Sequence, residues 1–190
     1  MKLRMPRRRR DRLLAGAAAL AVVAGAGTWT AAFASDDAPP VHREDQVLSM
    51  PGAGIDTSFF TAGAGGGAEK RPAVLLGHGF GGSKDDVREQ AERLARDGYA
   101  VMTWSARGFG RSEGQIGLND PEHEVKDVSR LIDWLAARPE VRLDADGDPR
   151  VGVSGASYGG AISLLAAGYD RRVDAIAPQI TYWNLADSLF

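Results

Sequence analysis

The chain has 190 residues, is 44% hydrophobic and 25% charged, contains no cysteine and carries a formal net charge of −2. Length and composition fit one globular domain with its own core, argue against disorder beyond the ends, and leave no disulfides to depend on. The charge is uneven: residues 1–34 hold seven Lys or Arg against Asp11, which leaves the remainder strongly acidic and excludes a basic nucleic-acid-binding face.

Residues 1–34 run from a basic segment ending at Arg12 through an apolar stretch, Leu13 to Gly27, to Ala32 and Ala34 spaced as A-x-A before Ser35. That order predicts a signal peptide removed after Ala34 and a secreted or extracytoplasmic protein. The stretch from Leu13 to Ala34 also approaches the ~20 residues of a membrane span, so an uncleaved segment would be the chain's one membrane contact. Residues 35–43, with Pro39 and Pro40 and no apolar period, read as a linker, and residues 44–190 as the folded domain.

Within that domain, Gln46 to Ser49 and Asp56 to Thr61 are strand candidates of an opening hairpin, followed by the exposed glycine turn "AGAGGGAEKR". "AVLL", from Ala73, is a continuous apolar run suited to a strand buried on both faces, and it ends in "GHGFGGSK". A helix is expected from Ser83, with Asp86 as capping partner and Val87, Ala91, Leu94 and Ala95 on one face. "YAVMTW" is the next buried strand. After the loop "SARGFGRSEG", Asp120 and Pro121 open a helix whose stripe is Val125, Val128, Leu131, Ile132 and Leu135. "RVGVSG" is a third buried strand, Gly160 to Ala167 a helix, and "VDAIAP" a fourth strand. Strands alternating with helices of this length require parallel pairing and right-handed crossovers, so the fold class is α/β with a doubly wound, mostly parallel sheet.

The segment "VGVSGASYGG" places Ser157 between Gly155 and Gly159 where a strand becomes a helix. G-x-S-x-G in that setting predicts a nucleophile elbow, a tight turn that holds a serine hydroxyl above the sheet. Acyl transfer also needs donors for the oxyanion. The backbone N–H of Tyr158 is one candidate and that of Phe80, in "HGFGG", the other, with Gly79 leaving room for close approach. The competing reading of this turn, a phosphate-binding loop, expects its glycines on the first strand of a domain. His78, ahead of the oxyanion loop, reads as an orienting or packing group rather than the base, because in this arrangement the base follows the serine in sequence. His42 and His123 read as solvated. Arg107 reads as a brace for its loop. "DADGDP" has alternate aspartates, but Pro149 stands where a calcium loop needs glycine, so it reads as a turn and no metal or cofactor is expected.

"HGFGG", "ARGFGRSEG" and "GASYGG", with "LIDWLAARPEV" between the second and third, resemble the X-prolyl dipeptidyl-peptidase and cocaine esterase-like branch of the α/β-hydrolases over residues 44–190. The resemblance implies an α/β-hydrolase fold and serine hydrolysis of esters or amides of a small molecule or peptide, X-Pro dipeptidyl bonds among them, with Ser157 as nucleophile. Members often carry Asp two residues before the Arg-Gly of the second motif, where this chain has Ser105, and several use a Tyr hydroxyl in the oxyanion hole. A triad also needs an acid and a histidine after the serine. Asp170, Asp174 and Asp187 are the acidic residues there, and no histidine follows. The pattern therefore reads as the N-terminal part of a hydrolase, ending after about the sixth strand; the alternatives are a non-catalytic binding module on the same scaffold and a small-acyl esterase.

Overall fold

The Pro51–Gly52 turn reverses the chain between β1 (Val41–Met50) and β2 (Ala53–Ala62), and Gly52 sits at φ +77°, a conformation open to glycine without a Cβ penalty. The computed structural model describes residues 38–63, 70–182 and 184–189; the expected signal peptide, residues 1–34, lies outside them. Strand β1 begins at Val41, inside the stretch read as linker, and pairs along its whole length with β2, from Val41 opposite Ala62 to Met50 opposite Ala53. Its polar sequence, "VHREDQ", masks the strand because β1 lies at the sheet edge, where most of its residues stay in contact with water.

Next come β3 (Ala73–Gly77), helix α1 (Arg88–Arg96) and β4 (Ala100–Trp104). A π-helical turn, Pro121–Val125, leads into α2 (Lys126–Ala136). "DADGDP" forms the small hairpin of β5 (Leu143–Ala145) and β6 (Asp148–Pro149), in which Arg150 takes up the Asp144 carboxylate at 2.6 Å. The chain continues through β7 (Val151–Ala156), α3 (Tyr158–Tyr169), β8 (Val173–Gln179) and α4 (Leu185–Leu189). Six strands form one sheet in the order β1-β2-β4-β3-β7-β8, parallel from β4 to β8, with β1 and β2 antiparallel.

Successive side chains of a strand point to opposite faces, and here each face has its own core. Phe59, Leu75 and Met102 join the larger core under α2 and α3, while their neighbours Phe60, Leu76 and Val101 join a smaller one under α1 with Ala91 and Ala95. All five residues of β4 are buried, the polar Thr103 among them, as a strand covered on both faces requires. Val125, Val128, Leu131, Ile132 and Leu135 form the expected buried stripe.

Helix α1 starts at Arg88, five residues later than its capping signal. The Ser83 N–H does reach the Asp86 carboxylate at 2.7 Å, but the residues it closes over form a turn that carries Lys84 inward. The Lys84 ammonium, fully buried, donates to Asp56 at 2.7 Å and to Asp45 and the Thr57 carbonyl at 2.9 Å, which uses all three of its protons. Its backbone N–H meets Ser105 Oγ at 3.1 Å. One side chain thus ties the loop after β3 to the β1–β2 hairpin. Removing one partner of a buried pair leaves an uncompensated charge, so Lys84→Met should lower the unfolding free energy by about 3 kcal/mol or more in urea titrations. Arg88→Ala, which breaks a solvent-screened pair with Glu92, should cost about 0.5 kcal/mol or less in the same measurement.

Candidate active site

The junction of β7 and α3 is where the backbone is most constrained. Ser157 has φ +54° and ψ −115°, a left-handed conformation rare for a residue with a Cβ. What forces it is proximity. A Cβ on Gly155 would lie 2.7 Å from the Gly77 oxygen and from the Gly159 carbon, and one on Gly159 would overlap the Gly77 carbonyl. The first turn of α3 therefore rests directly on β3 and β7, and the chain must bend sharply at residue 157 to get there. The Ser157 N–H donates to the Gln179 carbonyl at 2.9 Å; its carbonyl accepts from Ala161 N–H at 3.0 Å and from the Thr181 hydroxyl at 2.7 Å. Backbone fully held, the side chain is exposed and caps nothing in the helix.

Phe80 belongs to the loop after β3, a turn closed by Gly82 N–H on the Gly79 carbonyl at 3.0 Å. Gly79 faces open space, with no atom within 4 Å of the position a Cβ would take. The Phe80 and Tyr158 rings meet edge to face at 5.7 Å, and Phe109, from the loop after β4, packs on both at 5.2 and 5.5 Å. Three loops at one end of the sheet are thus joined by an aromatic cluster. Among the described residues neither the Phe80 nor the Tyr158 N–H has a hydrogen-bond partner, so both remain available as donors.

His78 is buried, and both of its ring nitrogens are occupied. The Gly79 carbonyl, 2.7 Å from Nδ1, can only accept, which puts the proton on Nδ1; Nε2 then accepts from the Ala106 N–H at 3.0 Å. Burial lowers its pKa from the ordinary value. His42 lies on β1, four strands from β7, with Nε2 at 2.9 Å from the Gly63 carbonyl, and His123 sits on the π-helical turn against Asp120. None of the three serves the Ser157 hydroxyl. The acidic residues after the serine are also engaged: Asp170 with Arg172 at 2.8 Å, Asp174 with the Val151 N–H at 2.8 Å, and Asp187 with Asn184 at 2.9 Å. Asp170 and Asp174 stand at the opposite end of the sheet from Ser157, beside the start of β8.

Arg107 is a brace. It is buried, with Nη2 at 2.8 Å from the Asp127 carboxylate and 3.0 Å from the Pro51 carbonyl, and the Asp127 hydrogen bond raises its pKa. Ser105, where relatives of the resembled branch often have Asp, receives the Lys84 N–H. A further support passes unnoticed in the sequence. The Tyr158 hydroxyl donates to the buried Glu124 carboxylate at 2.7 Å and accepts the Asn119 N–H at 3.0 Å, while the Asn119 amide donates to the Tyr158 carbonyl at 3.2 Å. Burial, then the Glu124 bond, pushes the Tyr158 phenol far above the usual range, so it stays protonated. The one local signal for Asn119 is its place in "LNDP", where Leu118 and Asn119 take φ +55° and +64° ahead of the helix cap.

Residues 63–190 match the family described as X-Pro dipeptidyl-peptidase (S15 family). The quorum-quenching protein AidA of Acinetobacter baumannii is 35% identical over 113 residues, 58% of this chain and 36% of that one. The thiohydrolase aneE of Aspergillus aculeatus is 28% identical over 143 residues, 74% of this chain and 42% of that one. Among solved structures, the hypothetical protein PA2218 of Pseudomonas aeruginosa superposes with a TM-score of 0.63 at 23% identity, over 79% of this chain and 45% of that one, a likeness that carries the fold alone. The chain spans less than half the length of these relatives.

Because His78 is held neutral by burial, the unfolded chain takes up a proton near pH 6.5 that the folded chain refuses until lower pH, so this histidine withdraws stability as pH falls below about 6.5. Unfolding free energies measured at about pH 7.5 and about pH 5.5 should differ less in His78→Gln than in the parent protein. Equal differences would remove this role.

Proposed function

The chain belongs to the X-Pro dipeptidyl-peptidase (S15) family, and on that premise we propose that it carries the nucleophile and oxyanion hole of a serine hydrolase. The observation that supports this most directly is the Ser157 backbone: a left-handed serine at a strand-to-helix junction, tied on both sides, with its side chain free. Strain of this kind costs about 1–3 kcal/mol and persists only where the surroundings impose it.

In the reaction, the Ser157 oxygen bonds to the substrate carbonyl carbon as a base takes its proton. The carbonyl oxygen becomes an oxyanion that accepts from the Tyr158 and Phe80 N–H groups. The bond to the leaving alcohol, thiol or amine then breaks, the proton passes to the leaving group, and water releases the acyl group by the same route. The base is none of His42, His78 and His123. Esters, thioesters and amides all give the same tetrahedral species, so the site chemistry alone accommodates the thiohydrolase named among the relatives and the peptidase named by the family. We further propose that residues 1–34 export the protein and are removed after Ala34, on the strength of their basic, apolar and small-residue order.

In the full-length gene product a fluorophosphonate probe should attach to Ser157, located by peptide mapping. Ser157→Ala should abolish labelling and lower ester turnover by about 10⁴-fold or more. Labelling that survives the substitution would overturn the assignment.

A further inference from the structure

We propose that Thr181 is a positioning residue for acyl transfer at Ser157: its hydroxyl fixes the plane of the Ser157–Tyr158 peptide, and with it the direction in which the Tyr158 N–H meets the oxyanion. The proposal rests on the reading of Ser157 as the nucleophile and adds a residue to that site.

A peptide unit is planar and, here, trans, so its C=O and N–H point in opposite directions. The unit between residues 157 and 158 carries the Ser157 carbonyl at one end and the Tyr158 N–H at the other. Whatever holds the carbonyl therefore aims the N–H. Two donors hold it: the Ala161 N–H at 3.0 Å, which is the first bond of α3, and the Thr181 hydroxyl at 2.7 Å, from the segment after β8. A carbonyl oxygen only accepts, so the hydroxyl proton lies on this contact. Ser157 is strained at φ +54° and ψ −115°, and swinging this peptide about its two ends would change ψ of Ser157 and φ of Tyr158 together, relaxing the strain and turning the N–H away. The Thr181 bond opposes that motion.

The chain is shaped to bring Thr181 to this carbonyl. Gln179, at the end of β8, accepts the Ser157 N–H at 2.9 Å, and Ile180 then takes φ +44°, which a β-branched residue adopts only under constraint. Residues 179 and 181 thereby grip Ser157 at its N–H and its C=O. Gly160 makes the approach possible: a Cβ there would lie 2.8 Å from the Thr181 Cβ and 3.0 Å from the Gln179 oxygen. The second glycine of "SYGG" thus makes room for Thr181, as the first makes room for β3. On the other side of Tyr158, the Asn119 amide donates to the Tyr158 carbonyl at 3.2 Å, so both peptide units flanking Tyr158 are tied by side chains. Thr181 acts through the first of these units and takes no part in proton transfer.

The test uses the full-length enzyme with p-nitrophenyl acetate as substrate and a trifluoromethyl ketone as inhibitor, which a serine nucleophile converts to a tetrahedral adduct that mimics the transition state. Thr181→Val keeps the side-chain shape and removes the hydroxyl. It should lower kcat/KM by about 10- to 100-fold, the effect of misplacing a reacting group, and weaken the ketone by a similar factor. Thr181→Ser, which keeps the hydroxyl, should restore both. Ser154→Ala deletes a bond of the same kind between the same two strands, from the Ser154 hydroxyl to the Ala177 carbonyl at 3.0 Å, and should leave both readouts unchanged. If the valine variant does not fold, Thr181→Ala is read in its place. An unchanged kcat/KM in Thr181→Val, a loss that Thr181→Ser does not restore, a loss that leaves the ketone's affinity intact, or an equal loss in Ser154→Ala would overturn the role. If Ser157→Ala still abolishes fluorophosphonate labelling in that event, the nucleophile stands and only the part given to Thr181 falls; labelling that survives Ser157→Ala removes both.

Discussion

Three backbones meet where side chains have no room. Gly77 ends β3, Gly155 lies one residue before the end of β7, and Gly159 opens α3, and a Cβ on any of the three would come within about van der Waals contact or closer of another's main chain. Everything else at the active end follows from this approach. It sets α3 flat against the sheet, turns Ser157 into the left-handed region, and leaves the Tyr158 N–H at the start of the helix without a partner among the described residues.

Close backbone contact does not reach the flanking loops, which the Phe80, Phe109 and Tyr158 rings join at one point only. Buried polar links take over. Lys84 connects the loop after β3 to the hairpin, Arg107 and Asp127 connect the loop after β4 to α2, His78 bridges the two loops, and Tyr158, Glu124 and Asn119 connect the elbow to the π-helical turn. Such pairs add little net stability compared with apolar packing. Their contribution here is geometric, because each admits few arrangements and each joins segments far apart in sequence.

The strands, the two faces of the sheet and the elbow were legible because each depends on neighbours in sequence. Leu75 and Leu76 point to different cores by strand alternation alone, and G-x-S-x-G specifies a turn within five residues. What was not legible depends on partners far along the chain. Lys84 reads as a surface residue until Asp45 and Asp56 are brought to it, and helix α1 starts late for the same reason, since its expected first turn is given over to burying that lysine. β1 reads as linker through Arg43 because its polar residues are unremarkable except at a sheet edge. Glu124 falls among polar neighbours, and nothing local distinguishes it from them before Tyr158 docks 34 residues away.

The strand order has a consequence for how the chain matures. β3 lies between β4 and β7, yet β7 follows it only after α1, β4 and α2, so during synthesis at ~5–20 residues per second one edge of β3 waits several seconds for its partner. The hairpin and the β3–β4 crossover can form early from nearby contacts, while the elbow cannot, because its bend is imposed from outside by β3, by Gln179 at the end of β8 and by Thr181 just after it. The left-handed turn at Ser157 therefore comes into being only after β3, β7 and β8 have met, later than the hairpin and the first crossover.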